Sequence, residues 1–212
     1  MYEELKDEGF EIVAVAQDTA GEAAAGPFYD AAEATFTTLI DRQHLVSSLY
    51  DMVNVPTGVL IDEEGRVVRF DEGAYSQTFQ LGTMTIGTDE YRPIVADWVR
   101  KGAASELVFS PEEMAERLPR RDQGQLEADA HFRLASYLVA QGERDAAEAH
   151  WAEAQRLHPE SWNYHRQDWS FTPAEAGPNW FRKFQGLEGK PYYAPIEKPG
   201  ETPVERPGEP PP

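Results

Sequence analysis

The chain of 212 residues contains no cysteine. That excludes disulfides, thiolate metal sites and any dithiol exchange carried by these residues themselves. Basic side chains are scarce: 19 Lys and Arg stand against 38 Asp and Glu, for a formal charge of -19. A surface of that sign repels phosphate backbones and anionic lipid, so no nucleic acid is expected as a partner and no membrane surface. No apolar run approaches the roughly 20 residues that cross a bilayer, so no membrane segment is expected either. The start carries no signal-peptide pattern, which points to the cytoplasm, with export left open should a leader precede Met1. The five histidines, His44, His131, His150, His158 and His165, show no tight ligand spacing. No metal and no cofactor is therefore expected. Glycine loops that cradle phosphate and nucleophile elbows are missing too, and no catalytic residue can be named.

What is present centres on Val53-Asn54-Val55-Pro56-Thr57-Gly58-Val59-Leu60-Ile61, followed by Asp62-Glu63-Glu64-Gly65 and Arg66-Val67-Val68. Val59 to Ile61 is a continuous apolar run, the mark of a strand covered on both faces. Glu63-Glu64-Gly65 supplies a reversal, with Gly65 free to take a positive φ. Pro56 has no N–H for a ladder, so it belongs at the strand's entry, and X-Pro is the bond type that is readily cis. Before this stretch the pattern predicts a short helix to Glu8, a strand over 12–16, a weak helix over 19–34 broken at Gly26-Pro27, a strand over 36–40 and a helix reaching Met52. After it come a strand over 66–70, a Gly-, Ser- and Thr-rich passage, and a helix from Tyr91 to Lys101 stopped by Gly102.

This order, with Val55-Pro56-Thr57 and the Asp-x-x-Gly turn where they fall, resembles a thioredoxin-like domain of the TlpA/ResA type over residues 1–104. The resemblance implies an α/β fold and a thiol-disulfide or selenol-disulfide oxidoreductase. Val55, Pro56 and Thr57 would be the substrate-binding residues, and a protein or a small thiol or disulfide the substrate. It also implies a central strand and a redox pair, Cys-x-x-Cys or its selenocysteine form, that 1–212 do not contain. The fold is thus expected to be an incomplete thioredoxin-like one, either a fragment of a longer reading frame or a domain that has lost its site and re-paired its strands. As written, the chain is expected to be inactive. The alternative function is a redox-dead protein-interaction module.

Residues 105–160 read as a helical segment. Ser110-Pro111-Glu112-Glu113 starts one helix. Ala130, Leu134 and Leu138, then Gly142, then Ala147, Trp151 and Ala154 describe a helical hairpin that resembles one tetratricopeptide repeat. One repeat cannot bury its own faces. The hairpin is expected to dock on the body or to offer a face to a protein partner. Residues 161–194 form an aromatic-rich extension, suited to core packing or to clasping the hairpin. From 195 to 212, six prolines follow Pro195, and an extended, disordered Pro-rich tail is expected.

Overall fold

The computed structural model describes residues 1–75, 77–81 and 84–204. In chain order the elements are α1 (Tyr2–Leu5), β1 (Val13–Gln17), α2 (Glu22–Ala32), β2 (Thr37–Asp41), α3 (Leu45–Leu49), β3 (Thr57–Ile61), β4 (Val67–Glu72), β5 (Phe79–Leu81) and β6 (Met84–Ile86). Then follow α4 (Tyr91–Lys101), α5 (Pro111–Arg117), α6 (Gln123–Ala140), α7 (Arg144–Leu157), α8 (Trp162–Ser170) and α9 (Pro173–Gln185). The chain divides into two compact units, each drawn from separate stretches of sequence. Of the described residues, one unit takes 1–11, 54–118 and 193–204; the other takes 12–53 and 119–192.

In the first unit, β3 and β4 pair antiparallel, with Thr57 opposite Glu72 and a register shift at Leu60/Ile61. The predicted reversal is there. Gly65 sits at φ +79, and the Asp62 carboxylate accepts from the N–H of Glu64 (3.0 Å) and of Arg66 (2.8 Å). Leu5, Leu60, Tyr91 and Val95 form the buried core, with Phe10, Trp98, Val99 and Ile196 packed around it. α4 has the bounds its apolar spacing predicts, and Gly102 closes it at φ +55. The antiparallel β5–β6 pair lies in the Gly-, Ser- and Thr-rich passage; with three residues per strand, it is too short to show a period.

In the second unit, β1 and β2 pair in parallel, Val13 opposite Thr37 through Gln17 opposite Asp41. Among the described residues β1 pairs only with β2, and β3 only with β4. α2 departs from expectation, running unbroken with Pro27 inside it. A proline's fixed φ suits a helix, so the loss is one N–H bond and some crowding. Tyr29 holds this helix on the sheet, its hydroxyl 3.1 Å from the carbonyl oxygens of both Ala14 and Leu39.

α6 and α7 flank Gln141-Gly142-Glu143, with Gly142 at φ +85. Their core is Ala128, Phe132, Ala135, Ala147, Trp151, Ala154 and Tyr164. The four alanines let the helices approach closely, leaving Phe132 and Trp151 to fill the remaining space. The inward face of α6 is rotated from the predicted one: Leu134 is 42% exposed, while Phe132 is 1% exposed. Asp122 caps α6, accepting from the Gln125 N–H at 2.8 Å.

The aromatics of the extension fall in α8, α9 and the residues between and after them, and Tyr164 and Phe171 pack on this core. Tyr164 stacks on Phe132 (4.5 Å between centroids) and Phe171 on Trp151 (5.1 Å). Trp180 stacks on Phe184 (5.0 Å) and donates to the Tyr192 hydroxyl (3.0 Å).

The segment after Pro195, expected to be extended and disordered, is described as far as Val204. Residues 195–204 carry no helix or strand, yet they are fastened to the first unit at several points. The fastening uses main-chain groups together with the Ile196 side chain, which packs on the core, and the Glu197 carboxylate, which accepts from the Val204 N–H at 2.7 Å. The remainder of that expectation, over 205–212, lies outside the described residues.

Candidate functional site

Val55, Pro56 and Thr57 lie together at the entry to β3, in the first unit. The Val55-Pro56 bond is cis. Local bonds shape the loop: the Thr57 hydroxyl donates to the Asn54 carbonyl (2.7 Å), and the Val55 N–H donates to the Asn54 side-chain oxygen (3.0 Å). Asn54 is itself 1% exposed. A buried Asn that bonds its own neighbours fixes a turn without help from a ladder.

The end of β4 holds the other side of the loop. The Pro56 carbonyl accepts from the N–H of Gly73 (2.8 Å) and of Ala74 (3.3 Å). Glycine is needed at 73 for two reasons. Its φ is +65, and a Cβ there would stand 3.0 Å from the Tyr193 ring. Gly58, the next residue of β3, leaves room for Tyr91: a Cβ would fall 2.1 Å from the Tyr91 hydroxyl.

Tyr193 was not legible as a site residue. Its hydroxyl donates to the Val55 carbonyl at 2.9 Å and lies 3.0 Å from the Tyr75 hydroxyl. The segment it opens is seated at successive points. The Ala194 N–H donates to Glu72 (3.2 Å), the Glu197 carbonyl accepts from Arg69 (2.7 Å), and the Gly200 N–H donates to Glu113 (2.8 Å). Arg117 also donates to the Glu201 carbonyl. No local signal marks these partners, because each is distant in sequence.

Arg69 organises the electrostatics beside this segment. It is 0% exposed and makes a two-pronged ion pair with Asp71, 2.6 and 2.9 Å, while also donating to the Leu107 carbonyl at 2.6 Å. Its guanidinium and that of Arg117 lie over the Phe109 ring, at 5.0 and 4.5 Å. Burial, with Asp71 adding to it, raises the Tyr91 hydroxyl far above its ordinary range, so Tyr91 is no acid or base near neutrality.

The second unit has polar clusters of its own. His44 Nε2 lies 2.8 Å from the Gln167 side-chain oxygen and 3.2 Å from the Thr19 hydroxyl, and burial lowers its pKa. His131 and His150 face one another, Nδ1 to Nδ1, at 2.8 Å. Among the described residues no group of three or more His, Cys, Asp or Glu is placed to hold a metal. Among them, also, no helix is long and apolar enough to cross a membrane.

No curated protein and no solved structure matches this chain. Residues 1–70 match the model of the AhpC/TSA family. That stretch runs from α1 through Phe70 in β4 and includes the Val55-Pro56-Thr57 loop. Over this portion the chain is similar to a thioredoxin-like redoxin.

Proposed function

We propose that residues 1–104 are the redoxin portion of a TlpA/ResA-like thiol-disulfide or selenol-disulfide oxidoreductase, with Val55, Pro56 and Thr57 lining its substrate loop. The observation that carries this reading is the family match over 1–70, which spans the loop, β3, the first part of β4 and the parallel β1–β2 pair. In such a reaction a thiolate or selenolate attacks a disulfide sulfur and expels the other sulfur as a thiolate. The chain has no thiol to do so. The reading therefore assigns the attacking atom to a segment outside 1–212, delivered on a strand that would pair beside β1 or β3, each of which has a single strand neighbour among the described residues.

Two measurements test it. Insulin reduction and peroxide consumption by the 212-residue chain should stay at the uncatalysed rate. The in-frame coding sequence upstream of Met1 should encode a strand followed by Cys- or Sec-x-x-Cys. A coding region without that motif would overturn the reading. It would favour the second one, a redox-inactive platform that binds a protein partner through α6 and α7, a reading that the absence of cysteine also supports.

A further inference from the structure

Resting on that reading of the loop, we infer that Tyr193 determines which ligands Val55-Pro56-Thr57 accepts, by closing its main chain to anything that binds as an extended strand. A peptide that adds to an edge does so through main-chain hydrogen bonds, so it needs free N–H and C=O groups on the receiving segment. Here those groups are already engaged. The Val55 N–H is bonded to Asn54, the Val55 carbonyl to Tyr193 and the Pro56 carbonyl to Gly73 and Ala74, while Pro56 has no N–H to offer.

The Tyr193 contact is the removable one. Asn54, Gly73 and Ala74 are neighbours in the loop and in the turn after β4, whereas Tyr193 arrives from 138 positions away. Its ring lies against Gly73, where a Cβ would meet it at 3.0 Å, and its hydroxyl is shared with Tyr75. Ala194 is pinned to Glu72 directly behind it. An extended polypeptide that takes the Val55 carbonyl as its acceptor must therefore compete with Tyr193 for it. A compact disulfide that pairs with no main-chain group meets no such competition.

The test is a titration followed by NMR of the 212-residue chain, with two probes: a blocked, strand-forming heptapeptide and oxidised dithiothreitol. Tyr193→Phe removes the hydroxyl while keeping the ring on Gly73, and Tyr193→Ala removes both. Oxidised dithiothreitol should perturb the Val55 and Thr57 amides equally in all three chains. The peptide should perturb them in the variants with roughly five- to tenfold lower Kd than in the unaltered chain, the worth of one released hydrogen bond. Peptide binding of equal strength in all three would overturn the inference while leaving the loop a ligand site. Silence of both probes in all three would instead remove the loop as a ligand site, and the inference with it.

Discussion

The Tyr193 hydroxyl donates to the Val55 carbonyl oxygen at 2.9 Å, tying the beginning of the C-terminal segment to the loop before β3. The segment then continues along the first unit, with Ala194 bonded to Glu72 and Gly200 to Glu113. Composition alone would make 195–204 fully mobile, so the two accounts differ measurably. Amide exchange should be at least about tenfold slower than the coil rate at Ala194 and Gly200, because opening must break these bonds first. Coil-like exchange at both positions would show that the segment is not seated.

Arg69 and Asp71 are a buried ion pair, 0% and 4% exposed. Removing one partner strands the other charge away from water. Arg69→Met should therefore cost about 3–5 kcal/mol in urea unfolding. It should also remove the bond by which the same guanidinium holds the Glu197 carbonyl. The double variant Arg69→Met with Asp71→Leu should recover most of the loss, since two apolar groups leave no charge uncompensated. A double variant as unstable as the single one would mean that packing, and not charge, sets the cost.

The Gly58 and Tyr91 pair predicts a coupled effect. A Cβ at 58 would sit 2.1 Å from the Tyr91 hydroxyl, 2.7 Å from its ring carbon and 2.8 Å from the Ala74 Cβ. Gly58→Ala should destabilise the chain by about 1–3 kcal/mol through overpacking. Adding Tyr91→Phe removes the closest atom but not the ring carbon, so rescue should be partial. Strictly additive losses in the double-mutant cycle would refute this contact.

These relationships mark where sequence reading stops. The strand at Val59-Leu60-Ile61, the Gly65 reversal, the Ser110 cap and the bounds of α4 were legible because each depends on residues a few positions apart. The expected cover on both faces of that strand, in contrast, fails at Ile61, which is 43% exposed. The rotation of α6 was not legible: Leu134 and Phe132 are both apolar, and only the alanines of α7 decide which one faces inward. Pro27 read as a break because the tie from Tyr29 to two strands is invisible locally. The interleaving of the two units is equally silent, since nothing at Ile12 or Asn54 marks a change of partner. Of the candidate site, Val55, Pro56 and Thr57 could be named from pattern and resemblance. Tyr193 and Glu72, which close it, could not.

Histidine burial makes the stability of the chain depend on pH. Burial lowers the pKa of His44 and His158, and burial followed by the Lys183 charge lowers that of His165 to about 4, against an ordinary 6.5. A histidine whose folded pKa lies below its unfolded one binds its proton more readily in the unfolded chain. Its contribution is complete above pH 6.5 and is lost as pH falls toward the folded value. Stability should accordingly decline between pH 6.5 and about 4. The lowered carboxylates act in the same direction further down, the glutamates Glu4, Glu113 and Glu153 from their ordinary 4.5 and the aspartates Asp62 and Asp97 from their ordinary 3.8, so they overlap only the foot of the histidine window. Urea unfolding across the upper window separates the two. The slope of stability against pH should be visibly shallower in His165→Gln than in the unaltered chain. An unchanged slope would show that His165 titrates as it does in the unfolded polypeptide, and that its surroundings do not exclude water.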